Sequence, residues 1–140
     1  MFFKKTSNGY VVRLEKGEEV ISTISQLTEK EEIPGGFFWG LGAVRDVTLG
    51  YFDVEKKEYI KKTFEAEFEL SSLVGDIFYL DGKPGVHAHA TLSDPRFNII
   101  GGHLFSALAT ATVELFIYLT DEVLKRKPDP EIGLNLLDLP

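Results

Sequence analysis

The 140-residue sequence predicts an α+β fold, one principal helix packed on a mostly antiparallel β-sheet, with residues 1–140 as a single domain. Three observations carry this. Apolar residues recur at helical spacing in one stretch, between Glu18 and Glu31. Nearly everything after it either alternates with the two-residue period of a strand or runs apolar between turn signals. The chain is long enough to bury a real core, and no repeat, low-complexity tract or linker divides it.

In chain order, Tyr10 to Leu14 is a short strand. Val20, Ile21, Ile24 and Leu27 then form one helical face, with Glu18 and Glu19 at the positive end of the helix dipole. Pro34-Gly35-Gly36 stops the helix. Phe37 to Ala43 is an apolar strand whose glycines, Gly40 and Gly42, mark the close approach of another backbone. Val47 to Val54 continues as strand, and Glu55-Lys56-Lys57 makes a polar turn. Phe64, Ala66, Phe68 and Leu70 share one face of the next strand, with Thr63, Glu65, Glu67 and Glu69 on the other, the pattern of a half-buried antiparallel strand. Ile77 to Leu80 is a short core strand, and Asp81-Gly82 a hairpin turn. Val113, Leu115, Ile117 and Leu119 alternate within a strand from Ala107 to Leu119, although Ala107 to Thr112 alone suits a helix. The tail, Lys125 to Pro140, carries Leu134, Leu136, Leu137 and Leu139, which need cover from the chain's own core or a neighbouring subunit.

Acidic residues outnumber basic ones 22 to 15, for a net charge of −7. Nucleic-acid binders neutralise phosphates with clustered Lys and Arg, and here Arg13, Arg45, Arg96 and Arg126 are scattered. Lys61-Lys62 and Lys125-Arg126-Lys127 are the densest basic patches, and they suit a solvated strand and a polar chain turn. Charge therefore gives direct DNA binding only weak support. The absence of cysteine leaves nitrogen and oxygen as the only metal donors. Met1-Phe2-Phe3-Lys4-Lys5 opens no apolar run long enough for a signal peptide, and no segment reaches membrane-spanning length. The expected location is the cytoplasm, with no membrane partner.

All three histidines, His87, His89 and His103, fall within Gly85 to Leu104. Residues two apart in a strand share a face, so His87 and His89 project together. Ser93-Asp94-Pro95-Arg96 is a turn, after which the chain folds back. If Leu92 pairs with Asn98 across a five-residue loop, His103 lies opposite His87 and Gly101 opposite His89. A one-residue slip would turn His103 to the far face, and a bulge at Gly101-Gly102 could restore it. Taken alone, His-x-His suits two ordinary strand histidines. The confinement of all three to one hairpin, beside Gly85, Gly101 and Gly102 where no side chains crowd them, points to a divalent-metal site, zinc above all. Glu114 is either solvent-facing or a polar neighbour or base for that site, with Glu69 and Asp94 as further candidates.

Gly85-Val86-His87-Ala88-His89, Leu92-Ser93-Asp94, Gly101-Gly102-His103-Leu104 and Ala111-Thr112-Val113-Glu114 together resemble the plants-and-prokaryotes-conserved (PPC) domain. Gly40-Leu41-Gly42-Ala43-Val44 and the run from Phe64-Glu65 through Leu70-Ser71-Ser72-Leu73-Val74-Gly75-Asp76 fit the same family. The resemblance implies one principal helix against an antiparallel sheet, assembly into a homotrimer, contact with other proteins, and metal coordination by His87, His89 and His103. Plant members of the family carry Arg-Gly-Arg-Pro AT-hooks, and this sequence contains no such segment, so no residues here carry a DNA role across. The favoured reading is an oligomeric regulatory or ligand-binding module with a three-histidine metal site. DNA association comes next. The alternative is a small metal-dependent hydrolase or lyase that activates water on the three histidines, but no nucleophile is convincingly placed.

Overall fold

The computed structural model describes residues 1–140. Its elements are β1 (Phe2–Lys5), β2 (Gly9–Leu14), α1 (Val20–Lys30), β3 (Gly36–Asp53), β4 (Glu58–Leu80), β5 (Lys83–Ser93), β6 (Ile99–Leu119), β7 (Arg126–Asp129) and β8 (Leu134–Leu137). Six strands form one antiparallel sheet in the order β1-β2-β6-β3-β4-β5, and β5 also pairs with β6. That extra pairing closes β3, β4, β5 and β6 on one another. Strands β7 and β8 form a separate hairpin. The expected single helix on a mostly antiparallel sheet is what the chain adopts.

The long strands bend where their register shifts. Strand β3 slips against β4 between Gly40 and Gly42 and again between Arg45 and Val47, the irregularity of a bulge. Gly42 has φ +151, and a Cβ there would lie 2.2 Å from the Thr112 carbonyl oxygen. Backbone does press on these glycines, as their spacing suggested. At the other end of β4, Leu80 pairs with Lys83. Asp81 and Gly82 between them take φ values of 51 and 77, both positive as a two-residue type I′ turn demands.

Helix α1 begins one or two residues later than its periodicity suggested, with Glu19 as its N-cap. The helix ends before Pro34, at Lys30, and Glu32 turns the chain with φ 51. Val20, Ile24 and Leu27 are buried where α1 packs on β5 and β6. The buried residues of those strands include Ala88, Ala90, Ala107 and Ala109. Small side chains let a helix lie close to a sheet. On β5 the alanines alternate with His87 and His89, so burying Ala88 and Ala90 sends both imidazoles to the opposite face.

Several elements differ from expectation. Strand β1 lies outside the read strands, and β4 runs unbroken through Ser71–Asp76, where two separate strands were expected. The tail forms the β7–β8 hairpin, anchored on β4 by the Tyr79 N–H donating to the Leu124 carbonyl at 2.7 Å. Ala66 is exposed while Phe68 and Leu70 are buried, because β4 carries an extra residue there, across from the irregularity between Arg45 and Val47 of β3.

The Glu19 carboxylate accepts from the N–H groups of Ile21 (3.1 Å), Ser22 (2.7 Å) and Ala107 (3.1 Å). It caps the helix and ties it to β6. Glu19→Ala leaves three donors short of an acceptor and should destabilise the fold by about 1–3 kcal/mol. Glu19→Gln should recover part of that loss, as read from chemical denaturation.

Candidate metal centre

The three histidines converge. His89 pairs with His103 across β5 and β6, and His103 also pairs with Gly50 of β3 on its other side. Their candidate ligand nitrogens lie within 4.8 Å of one another. Ring centroids are 5.2 Å apart for His87–His89, 5.2 Å for His87–His103 and 5.5 Å for His89–His103.

The register differs from the expected one by two positions. His103 lies opposite His89, with Gly101 opposite Thr91. The five-residue loop has the expected length but runs from Asp94 to Asn98, one residue later than read. The Asp94 carboxylate holds it there by accepting from the Arg96 N–H (2.8 Å), the Asn98 N–H (2.9 Å) and the Asn98 side-chain amide (2.9 Å). Moving a loop by one residue changes the register by two. An even shift keeps every side chain on its face.

The carboxylates behave differently from the reading. Glu114 is exposed, on a rung with Arg13 and Leu41, on the order of 30 Å of strand from His103. It is not a neighbour of the centre, since alternation on a long strand sets the face and leaves the distance open. Glu69 pairs with Ser93 at the far end of β5, and Asp94 is spent on its loop. The carboxylate that does reach the histidines is Asp76 of β4, which pairs with His87. Its Oδ2 lies 3.2 Å from His87 Nδ1, and both its oxygens accept from Arg126 Nη2 at 2.9 Å. Arg126 comes from β7. An acid within the otherwise apolar run ending at Leu80 was a usable signal for Asp76, but nothing set Arg126 apart from Lys125 and Lys127.

The glycines serve packing. A Cβ on Gly85 would strike the Phe78 ring at 2.5 Å. At Gly101 it would meet the Ala90 carbonyl oxygen at 2.8 Å, and at Gly102 the Gly50 carbonyl oxygen at 2.7 Å. Gly102 thus lets β3 come up beside His103. Tyr59 and Phe105 flank that ring, with centroids at 4.9 and 4.7 Å, and the Lys61 ammonium sits 3.7 Å from the Phe105 centroid.

The electrostatics favour the neutral form of His89 and His103. Burial, then the His87 charge, lowers His89 from its ordinary value. For Asp76, burial pulls upward, but the hydrogen bonds from His87 and Arg126 and their charges outweigh it and hold the carboxyl low. His103 Nδ1 is buried and has no hydrogen-bond partner, an arrangement native proteins rarely leave without a reason. Three imidazoles meeting within 4.8 Å are a donor set that fits a borderline cation such as zinc.

The family model for the Plants and Prokaryotes Conserved (PCC) domain matches residues 1–121. Among solved structures, the “Putative DNA-binding protein” of Ralstonia eutropha JMP134 is 34% identical, with a TM-score of 0.91 over 99% of this chain and 96% of that one. A protein of the same description from Bacteroides thetaiotaomicron is 29% identical, with a TM-score of 0.94 over 98% and 96%. The metal-containing protein AF0104 of Archaeoglobus fulgidus is 34% identical, with a TM-score of 0.86 over 98% of each chain. Bifunctional protein GlmU of Synechococcus is 28% identical over 127 residues, and the chain spans 19% of its length.

Burial is the main cause that lowers His103 to about 4, with the charges of His87, His89, Lys61 and Arg126 adding to it. An unfolded chain titrates this residue near 6.5. Between those values the unfolded state binds a proton that the folded state refuses, so stability falls as pH falls from about 6.5 to about 4. The urea midpoint of chelator-treated protein should drop across that window, and drop less in His103→Asn.

Proposed function

The chain belongs to the Plants and Prokaryotes Conserved domain family, and from that premise we propose that it is a self-associating binding module, residues 1–140 acting as one domain, whose His87, His89 and His103 hold a divalent cation, zinc. The observation that carries this is the meeting of one nitrogen from each of three imidazoles within 4.8 Å, with His103 Nδ1 buried and unpartnered. The printed name of the Archaeoglobus relative, a metal-containing protein, supports it. Bound there, zinc would supply a Lewis-acidic centre and a crosslink between β5 and β6. Asp76 would accept the His87 Nδ1 proton and orient that ring.

Self-association as a homotrimer is supported by two separate apolar surfaces. Phe37, Trp39, Leu41, Phe116 and Tyr118 are exposed on the sheet, and the Trp39 ring stacks on Phe116 at 5.7 Å. Tyr51, Ile60, Phe97 and Ile99 are exposed on the far arm of β3 and β4 and the neighbouring loop. A ring of copies joins unlike patches head to tail, whereas a two-fold dimer needs only one. The names of the Ralstonia and Bacteroides relatives point towards DNA, but a net charge of −7 supplies little to neutralise phosphates. Regulation through partner proteins is the reading the charge supports. No helix is long and apolar enough to cross a membrane.

Protein purified without added metal should contain about one zinc per chain by atomic absorption, and His103→Ala should contain none; metal-free wild type would overturn the reading. At a free zinc concentration of about 100 times Kd, stabilisation should reach about 2.7 kcal/mol and vanish in His103→Ala. Trp39→Glu should convert a species of three chain masses, measured by light scattering, to a monomer with unchanged zinc content.

A further inference from the structure

We propose that Arg126, brought to the histidines by the C-terminal hairpin, is a positioning residue for the centre: through Asp76 it fixes which ring nitrogen of His87 carries the proton. The proposal rests on the metal reading for its consequence, though not for the contact itself. Arg126 lies beyond the residues matched by the family model, which end at 121. It is held on three sides. Its guanidinium lies 4.6 Å from the Phe78 ring centroid, its Nη1 donates to the Asn135 carbonyl at 2.8 Å, and its Nη2 donates to both oxygens of Asp76. The side chain is only 12% exposed.

Nη2 also lies 3.1 Å from His87 Nδ1, so that nitrogen can either donate to Asp76 or accept from Arg126, and a cation on Nε2 selects the first. A guanidinium only donates and a carboxylate only accepts. Both Asp76 oxygens lie 2.9 Å from the one Nη2, close enough together to share a single hydrogen. The Asp76 carboxylate, with Oδ2 at 3.2 Å, favours a hydrogen on His87 Nδ1, which leaves the Nε2 lone pair free to meet a cation. With the Arg126 contacts gone, Asp76 is free to turn away, and His87 loses the acceptor that selects this tautomer. The Arg126 Nε is buried without a partner, so the guanidinium sits where it serves Asp76 and not where all its own donors are satisfied.

Removing Arg126 sets two effects against each other. Deleting a positive charge beside a cation site strengthens binding, whereas releasing Asp76 and His87 weakens it; loss of such a supporting contact typically costs about 10–100-fold in affinity. Positioning predicts that the second wins. Full-length Arg126→Gln should bind zinc about tenfold or more weakly in competition with a chromogenic chelator. In zinc-free protein, the 15N shifts of His87 should move from a single Nδ1–H form to a mixture of tautomers. Unchanged or tighter zinc binding, or an unchanged His87 spectrum, overturns the proposal. If wild type binds no zinc, the metal reading fails and the His87 spectrum alone decides on Arg126. Should Arg126→Gln not fold, Arg126→Lys carries the same two readouts, since its ammonium keeps the charge near Phe78 without the planar fork.

Discussion

Strand β6 is hydrogen-bonded to three other strands, and the rest of the molecule is placed by that fact. Its first half pairs with β5, its second half with β2, and β3 follows its other edge along most of its length. Side chains alternate along each half of it, and an irregular step between Leu104 and Ser106 switches the parity, so one choice of face settles each half. Leu104, Ala107, Ala109, Val113, Leu115 and Ile117 are buried, and His103 is thereby sent to the other face. A one-residue slip would bring Leu104 out to water, at about 1.5–3 kcal/mol for such a side chain, and repeat the penalty at each apolar position. The site is where it is because the core allows no other register.

This explains why so much could be read from the residues. Alternation carries its own parity, so the common face of His87 and His89 followed from their spacing, and it survived an error in the loop position. The correction was two residues because Asp94 holds the turn at Asn98, and two is the shift that alternation forgives. Glycines that press on a neighbouring backbone and an acid placed at a helix start are likewise local signals. Gly42 and Glu19 do what their neighbours in sequence suggested.

The unread features depend on residues far apart in the chain. Asp76 and Arg126 are 50 positions apart, and only the path of the tail brings them together. The tail's leucines called for cover from the core or a neighbouring subunit; the tail forms a hairpin, with Lys57 donating to the Pro130 carbonyl at 2.8 Å. Glu114 failed for the complementary reason. Its position is an odd number of residues from His103, which strict alternation puts on the opposite face. The irregular step between Leu104 and Ser106 returns it to the same face, yet so long a strand keeps its two ends far apart.

Two buried side-chain polar atoms in the chain have no hydrogen-bond partner, His103 Nδ1 and Arg126 Nε. They belong to one connected group, because Arg126 touches Asp76 and His87, and the His87 ring lies against His103. Leaving such atoms unpaired costs about 1–3 kcal/mol each, and a fold able to bury 24 apolar residues in one cluster has no packing need for either. Local penalties of this kind gather where a sequence is constrained by something other than stability. Imidazoles in a partly buried cluster, a carboxylate already paired with arginine and a ring nitrogen without a partner make a poor piece of core. In the cation receptor that we propose, burial already holds His89 and His103 towards the neutral form that binding requires.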